Sequence, residues 1–390
     1  MVDPLSYIPD PESESNPEHK PADKEEVFLF ARELMLETGW ESMTPQPNEE
    51  IPVASPLIPA SMLEDNPLVI PAEKSKKSAK INVRQLIFVS ISVLLIVWLL
   101  QNCHRDIPLA QLKERYTFPD SRFISVNGME VHVRISGKGE PILLLHDAYS
   151  SLHTWANWTK KLAQHYQVIS VDLPGFGLTG PAPGSQYDAL LYTNFLDSLI
   201  NTLGLKKLTL VGNGLGAKIG WMYAKEPNNK LNKLLLLNAP GFEKNESNAW
   251  FSVITDIPIL YTLVRYITPK SYIHSQLEKR FSHNDAVSDS LVQRHFDLLL
   301  RSGNRNAVLD RARSNEKWPP AISNITQINV PVLIIWGADD QCIVPKNAYL
   351  FHQKMPQAVM KIYPDTGHWP QEENPEKTIA DVMKFLEGKF

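Results

Sequence analysis

The chain has 390 residues, 43% of them hydrophobic, and a formal net charge of −4 at pH 7. This length fits one large domain with extensions or two to three average domains, and the apolar fraction suits a globular core. The mild negative charge and the lack of a basic stripe argue against a nucleic-acid partner. Two cysteines, Cys103 and Cys342, are too few for a disulfide framework, so we expect two free thiols. No Cys/His spacing typical of zinc occurs, and no cofactor is expected.

The first 80 residues differ in composition from the rest of the chain. They carry 16 acidic and 7 basic residues and hold 12 of the 30 prolines. Such a segment buries too little apolar surface to offset the entropy of ordering it. We therefore predict that residues 1–80 form a disordered acidic tail. Within it, apolar residues of segment 25–41 recur at roughly helical spacing. This pattern predicts a short amphipathic helix, either transient or docked on a partner or a membrane.

An uncharged run follows the tail at residues 85–103. Its central part, Leu86 to Leu100, contains fifteen mainly aliphatic residues. A helix needs about 20 apolar residues to cross a bilayer. We predict a transmembrane helix over 85–103, with the lipid bilayer as its partner. The alternative is a buried helix of a soluble protein. A run that is apolar on all sides and adjoins disordered sequence favours the membrane.

The charges that flank this run predict its orientation. Five basic residues shortly precede it, and fewer follow it: Lys74, Lys76, Lys77, Lys80 and Arg84 come before, Arg105, Lys113 and Arg115 after. Basic loops stay on the cytoplasmic side. The tail is therefore expected in the cytoplasm. The large C-terminal part is expected in the periplasm, a lumen or the extracellular space.

From about residue 116 the pattern becomes that of an α/β domain. A hairpin with Asn127-Gly128 as its turn precedes a series of apolar runs typical of buried strands. These runs are Ile142–Leu145, Val168–Val171, Leu208–Val211, Leu234–Leu237 and Val332–Trp336, with the less apolar Val359–Tyr363 nearer an edge. Helical segments such as 188–203 and 378–386 separate them. The alternation predicts a mostly parallel sheet over residues 116–390.

The segment between the strands near 237 and 332 is too long for a simple crossover. We predict a helical cap at about 242–320, above the carboxyl ends of the strands. Its apolar residues either line a pocket for a small apolar ligand or pack the cap onto the core. They include Trp250, Phe251, Ile259, Leu260, Tyr261, Leu263, Tyr266, Ile267 and Leu298–Leu300.

Five marked turns fall directly after predicted strands. In open α/β sheets the reactive site forms at the carboxyl ends of strands, so these turns are expected to lie together. One of them, Gly212 to Gly216, stands between a buried strand and a helix and has the setting of a nucleophile elbow. The others are His146-Asp147-Ala148, Asp172 to Gly177, Trp336 to Asp340, and Gly367-His368-Trp369.

In this order the five turns resemble those of the α/β-hydrolase superfamily. The resemblance runs from about residue 124 to the C-terminus. It is closest to capped esterases, epoxide hydrolases and C–C-bond hydrolases, and it implies their fold. By that resemblance His368 matches the general base and Asp340 the acid that orients it, with Asp339 as the competing choice. Gly214 matches the nucleophile position, and the amides of Leu215 and Ala148 match the oxyanion-hole donors.

Two positions depart from the pattern of the family. Gly214 offers no oxygen or sulfur to form a covalent intermediate. Asp147 stands where a glycine is usual, and its carboxylate would disfavour negative charge developing in the adjacent oxyanion hole. The sequence leaves open whether this side chain enters the site or points into solvent.

Three hypotheses follow. The first is a membrane-anchored, serine-hydrolase-like protein that has lost its nucleophile and binds an apolar ligand or partner without turnover. The second is a hydrolase or lyase that uses His368 and Asp340 as a general base without a covalent intermediate. The third is an interaction protein that acts through its acidic tail, whose partner is unknown.

Overall fold

The computed structural model describes residues 83–184, 186–242, 261, 265–314 and 325–390. The predicted tail and its amphipathic helix lie outside these residues. Within them, eight strands form one sheet with the order β1-β2-β4-β3-β5-β6-β7-β8. The strands are β1 Ser121–Val126, β2 Met129–Ser136, β3 Pro141–Leu145, β4 Gln167–Val171, β5 Leu208–Asn213, β6 Leu231–Leu237, β7 Val332–Gly337 and β8 Val359–Tyr363.

The sheet is mostly parallel, as the sequence predicts. β1 and β2 form the expected antiparallel hairpin, and β2 also pairs antiparallel with β4. All pairs from β4 across to β8 are parallel. β8 ends the sheet, in agreement with its less apolar sequence. The predicted strand cores are confirmed, and most strands extend one to three residues beyond them.

Helices cover both faces of the sheet and the region predicted as a cap. They are α1 Val83–Asn102, α2 Leu109–Tyr116, α3 Ala156–Leu162, α4 Ala189–Thr202, α5 Leu215–Ala224, α6 Lys270–Glu278, α7 Asp289–Leu299, α8 Asn304–Ser314, α9 Lys346–Lys354, α10 Pro370–Glu373 and α11 Pro375–Leu386. Short 3₁₀ turns occur at Leu152–Trp155 and Asn284–Ala286. Helices α6, α7 and α8 lie between β6 and β7 in the chain and belong to the predicted cap.

Two apolar layers sandwich the sheet and explain its continuous hydrophobic runs. Along β3, Leu143 and Leu145 enter one layer, whereas Ile142 and Leu144 enter the other. Successive side chains of a strand point to opposite faces. A strand covered on both sides must therefore be apolar at every position. This burial fixes the register of the sheet and so the position of each loop at its carboxyl edge.

Helix α1 differs from every other helix described because none of its 20 residues is buried. Its mean hydropathy of 2.3 and its length suffice to cross a membrane by length and composition. A helix that is apolar all round normally has its surface covered, either by a protein core or by lipid. The described residues provide no such cover.

The strand–turn–helix unit around residue 214 requires small residues for close packing. A Cβ atom added to Gly216 would lie 2.2 Å from the carbonyl oxygen of Leu145. Backbone atoms therefore occupy the space that a side chain would need. Gly220, one turn further along α5, has more room. A Cβ atom there would meet the side chains of Leu210 and Leu234 at 3.4 Å.

These two glycines give a matched test of the packing. We expect Gly216→Ala to lower the free energy of unfolding by about 1–3 kcal/mol, because strand and helix must separate. Gly220→Ala is expected to be neutral or to stabilise by up to about 1 kcal/mol, because alanine favours the helix. Urea unfolding of both variants in detergent measures the difference. Equal stabilities would contradict this account of the turn.

Candidate active site

The order of the strands places the predicted site residues next to one another. Asp147 follows β3, Gly214 follows β5, Asp340 follows β7 and His368 follows β8. In the parallel part of the sheet β3 lies beside β5 and β7 lies beside β8, and β6 stands between the two pairs. Their carboxyl ends form one edge, where ligands of open α/β sheets bind. The structure therefore brings together four residues that are spread over more than 200 positions of the chain, from Asp147 to His368.

Gly214 occupies a sharp turn between β5 and α5. Its backbone has φ 50° and ψ −113°, a conformation that favours glycine over residues with a side chain. Its amide donates a hydrogen bond to the carbonyl of Leu237, and its carbonyl accepts one from the amide of Lys218. The turn has the strained, positive-φ form expected of a nucleophile elbow. Glycine relieves that strain and leaves the nucleophile position without a side chain.

The carboxylate of Asp147 fills the space beside Gly214. A Cβ atom added to Gly214 would lie 1.9 Å from Oδ1 of Asp147 and 2.4 Å from its Cγ. Oδ1 also accepts a hydrogen bond from the amide of Leu215 at 3.0 Å. Leu215 is one of the two predicted oxyanion-hole donors. The other, Ala148, is half-buried against the core. The open question about Asp147 is thus decided, since its side chain points into the site.

His368 lies between two carboxylates. Its Nδ1 is 2.8 Å from Oδ2 of Asp340, and its Nε2 is 3.2 Å from Oδ2 of Asp147. All three side chains are buried. Of the two aspartates after β7, Asp340 is the one that contacts the imidazole. Asp339 accepts a hydrogen bond from the hydroxyl of Ser282.

This arrangement sets the charge of His368. Burial alone lowers the pKa of its imidazole, but the charges and hydrogen bonds of Asp340 and Asp147 outweigh burial and raise this pKa well above 6.5. Burial raises the pKa of Asp147, but His368 outweighs it and holds this pKa below the usual range. These opposite shifts favour a protonated imidazole over a neutral one in the position between Asp147 and Asp340. A protonated imidazole cannot accept a proton, so in this form His368 is not a general base.

Two asparagines that the sequence motifs did not indicate hold Asp340 and His368 in place. Asn238, directly after β6, donates a hydrogen bond to Oδ2 of Asp340. Asn213, the last residue of β5, donates one to the carbonyl of His368 at 3.1 Å. Backbone amides of Cys342 and Ile343 donate to the other oxygen of Asp340. The sequence feature that could have identified both asparagines is their position, since each is a polar residue at or directly after the end of an apolar strand.

The donor atoms of Asp340, Cys342 and His368 lie within 4.8 Å of one another and are the one group among the described residues that could hold a metal ion. Two of the three are already partners, because Nδ1 of His368 and Oδ2 of Asp340 share a hydrogen bond. Burial also raises the pKa of the Cys342 thiol, which disfavours the thiolate that binds metals. The geometry favours the hydrogen-bonded pair over a metal site.

A layer of aromatic and cationic side chains lies next to the cluster. The indole nitrogen of Trp369 is 3.4 Å from Oδ2 of Asp147. The guanidinium of Arg280 lies 5.8 Å from the Trp369 ring and 5.2 Å from the ring of Tyr149. Arg280 is 8% exposed, and its charge helps to keep the pKa of Asp147 low. No motif or spacing around Arg280 indicated that its charge would act on Asp147.

A cleft with a cavity volume of about 130 Å³ lies between helices α6, α7 and α8 and the loops after β3 and β4. Tyr149 and Arg280 line one part of it, and the wall combines aliphatic side chains of α6, α7 and α8 with aromatic and polar residues from the loops and helices. Among the residues predicted to line a pocket, Ile267, Leu298 and Leu299 do so. Tyr266 is half-exposed. Five others lie outside the described residues: Trp250, Phe251, Ile259, Leu260 and Leu263.

Comparison with known proteins finds similarity to one sequence family and to several hydrolases. A sequence model of the alpha/beta hydrolase family matches residues 142–382, more than half of the chain. An uncharacterised protein of Mycobacterium tuberculosis is 26% identical over 291 residues, which cover 69% of this chain and 82% of the relative. The 2-hydroxy-6-oxononadienedioate/2-hydroxy-6-oxononatrienedioate hydrolase of Comamonas testosteroni is 25% identical over 71% of this chain and 99% of the relative. The structure of a meta-cleavage product hydrolase from Pseudomonas fluorescens superposes with a TM-score of 0.60 at 20% identity, over 69% of this chain and 98% of that one.

The charge of His368 can be tested directly. We expect nitrogen-15 NMR of the imidazole to show both ring nitrogens protonated at pH 7.5. In Asp147→Asn, loss of one flanking carboxylate is expected to lower the pKa of His368. Asp339→Asn is the matched control and is expected to leave this pKa unchanged, because Asp339 contacts Ser282 instead.

The same shift predicts how stability depends on pH. A folded-state pKa above the unfolded value of about 6.5 makes His368 stabilise the fold fully below that pH, and this contribution is lost as pH rises through the folded pKa. In Asp147→Asn the contribution should be smaller, and its loss should be complete at a lower pH, because the folded-state pKa of His368 is lower. A neutral imidazole in the unmodified protein at pH 7.5 would contradict the assignment.

Proposed function

Since the chain belongs to the alpha/beta hydrolase family, we propose that it is a membrane-anchored pseudo-hydrolase, one that binds an apolar ligand or partner under its cap without serine-dependent turnover. The observation that carries the proposal is the position of the Asp147 carboxylate, within 1.9 Å of where a side chain at Gly214 would begin. Position 214 has no side-chain atom that could act as a nucleophile, and the carboxylate of Asp147 occupies the space where such a side chain would lie.

Each step of acyl transfer meets an obstacle at this site. Attack on a carbonyl requires a nucleophilic atom at position 214, and glycine has none. The developing oxyanion requires the amide of Leu215, which already donates to Asp147. A second negative charge at that amide would be repelled by the carboxylate. These obstacles support a site that binds and does not hydrolyse by the route of its family.

The alternative is an enzyme that uses His368 and Asp340 as a general base. Its support is the 2.8 Å contact between the two side chains. Against it, a base must be neutral at the working pH, whereas two carboxylates raise the pKa of His368 well above 6.5. A third alternative, action through the acidic tail, concerns residues outside those described. The pseudo-hydrolase proposal is therefore the one that the geometry favours.

Helix α1 supports the membrane anchor. Its side chains are exposed all round, and its length of 20 residues, fifteen of them in the uncharged run Leu86–Leu100, corresponds to about 30 Å of helix, the thickness of a bilayer core. Lipid would cover a surface that the described protein leaves open. We propose that residues 85–103 span the membrane, with the tail in the cytoplasm and the hydrolase-like domain on the opposite side.

A serine-directed phosphonate probe tests the chemistry. We expect no labelling of the unmodified protein. Gly214→Ser alone is expected to label weakly and to melt at lower temperature, because its Cβ atom collides with Asp147. Gly214→Ser combined with Asp147→Gly removes the collision and frees the amide of Leu215, so we expect labelling and esterase activity. Both should disappear when His368→Ala is added.

Two results would speak against the proposal. Labelling of the unmodified protein that disappears in His368→Ala would reveal a working nucleophile. Turnover of an ester by the unmodified protein that is lost in His368→Ala without any labelling would instead support the general-base alternative. Asp339→Asn serves as the control for both, because this residue does not contact the imidazole.

Topology is tested with a thiol reagent that cannot cross membranes. In a background with Cys103→Ser and Cys342→Ser, we introduce Ser61→Cys in the tail or Lys138→Cys in an exposed loop of the domain. In intact cells the reagent is expected to label the cysteine introduced at 138 and not the one at 61. The reverse pattern would overturn the orientation, and labelling of both would overturn the membrane anchor.

A further inference from the structure

The chain that follows α1 joins directly onto the cap. The amide of Thr268 donates to the carbonyl of Asn102 at 2.8 Å, and the amide of His104 donates to the carbonyl of Tyr266 at 3.0 Å. Cys103 and Ile267 form the antiparallel bridge between these bonds. The last residue of the proposed membrane helix is therefore hydrogen-bonded to the cap itself.

Further contacts fix this junction. Asp106 accepts a hydrogen bond from the guanidinium of Arg305 at 2.6 Å, and the ring of His104 packs edge-on against Phe296 at 5.0 Å. The amide of Ile107 donates to the carbonyl of Leu300 at 2.8 Å. Arg305 is 7% exposed, so its ion pair with Asp106 is largely removed from water on the arginine side. The junction is a built interface and holds the cap close to the end of α1.

The residues of this junction also line the cleft. Ile267, Thr268 and Arg305 belong both to the contacts with the chain after α1 and to the wall of the cleft. If α1 spans the bilayer, this part of the wall lies at the membrane surface. One end of the cleft therefore faces the lipid headgroups.

The cleft extends away from that end along α6. Lining residues recur on one face of this helix at positions 269, 272, 273, 276, 277 and 280. The helix has nine residues and is about 13 Å long at ~1.5 Å per residue. Ile267 to Pro269 lie at its start, near the membrane, and Arg280 lies just past its end. The cleft thus follows α6 as an elongated channel with a mainly apolar surface, and Arg280 lies at the end away from Ile267.

Arg280 is a buried cation that makes no direct ion pair among the described residues, while its charge acts at longer range to lower the pKa of Asp147. Its Nη1 donates to the carbonyl of Gln276, and its Nε has no hydrogen-bond partner. Arg311 lies on the same Tyr149 ring, 5.3 Å away, and its Nε is also unpartnered. Buried charges are normally paired, because desolvating them is costly. The guanidinium of Arg280, which lines the cleft and has a free N–H donor, fits a carboxylate head with an alkyl tail in the apolar part of the cleft.

We propose that the cleft binds a single-chain, long-chain carboxylic acid that enters from the bilayer at the junction of α1 with the cap. The carboxylate pairs with Arg280, and the alkyl chain lies along α6 toward Ile267. This inference rests on the proposed function, since it names the ligand of the same cap and requires the same anchor. It adds the ligand's class, its source and its orientation.

The test uses the full-length protein in phosphatidylcholine nanodiscs that contain a photoreactive palmitic-acid analogue. After irradiation, mass spectrometry of tryptic peptides locates the label. We expect labelling of cap peptides between residues 267 and 309, reduced about tenfold in Arg280→Gln, because a buried charge pair is lost. Arg280→Lys is expected to recover part of the labelling. Arg122→Gln, an exposed arginine on β1, is the matched control and should label like the unmodified protein.

Two further probes define head and source. The corresponding fatty alcohol has no charge for Arg280 and should label the cap at least about tenfold less. A photoreactive hexanoic acid, which is water-soluble, should label weakly at the same total concentration. Both comparisons are made on the unmodified protein. They therefore test the need for a carboxylate and for a membrane source even if an arginine variant unfolds.

Several outcomes would overturn the inference. If the alcohol labels the cap as strongly as the acid, the ligand does not need a carboxylate. If hexanoic acid labels as strongly, the ligand does not need to come from the bilayer. If no cap peptide is labelled, the cleft is not the binding site. If the cap is unlabelled while the phosphonate probe also fails to react, the pseudo-hydrolase proposal survives alone. If the protein labels at the cap but hydrolyses esters, the ligand class survives and the pseudo-hydrolase proposal fails.

Discussion

The carboxylate of Asp147 organises the reactive edge of this domain. It accepts the amide of Leu215, pairs with His368 and occupies the space beside Gly214. Each of the two departures from the family pattern accounts for the other. A side chain at position 214 would collide with the carboxylate, and without the carboxylate the amide of Leu215 and the imidazole of His368 would each lose a buried partner. Buried polar groups without partners are costly, so the two departures together form a stable arrangement.

Charge balance explains how Asp147, Asp340 and His368 are accommodated together in a buried place. Asp147 and Asp340 carry two negative charges and His368 one positive charge, so the cluster has a net negative charge in a buried place. Arg280 lies close enough to lower the pKa of Asp147. Backbone amides after β7 and the side chain of Asn238 hold Asp340. Asp340 and His368 are thus parts of a buried electrostatic network that also includes Asp147 and Arg280.

Arg280 connects this network to the cleft. Its guanidinium packs on Trp369, which donates to Asp147, and on Tyr149, which lines the cleft. The layer of Trp369, Arg280 and Tyr149 therefore lies between the cluster of Asp147 and His368 and the cleft. A ligand that pairs with Arg280 would act on the charge balance of His368 without contacting it. The junction with α1 places the far end of the same channel where the chain leaves its long apolar helix.

The sequence alone determined the frame. Apolar runs of four or five residues indicated which segments are strands, because a strand covered on both faces must be apolar throughout. The marked turns after these runs located Gly214, Asp340 and His368. Small residues at 212 and 216 indicated close packing of strand and helix, which the backbone contacts of Gly216 explain. The order of the turns was sufficient to indicate the family that comparison then established.

Only the tertiary structure decided what the departures mean. Neighbouring residues do not determine whether Asp147 faces solvent or the site. That choice depends on an amide 68 positions later and an imidazole 221 positions later, which the sheet order brings within hydrogen-bonding distance. The roles of Asn238, Trp369 and Arg280 were equally hidden, because each depends on partners from distant strands and helices. Local pattern specifies elements through burial and backbone geometry, whereas the charge state of a site depends on which elements the fold places side by side.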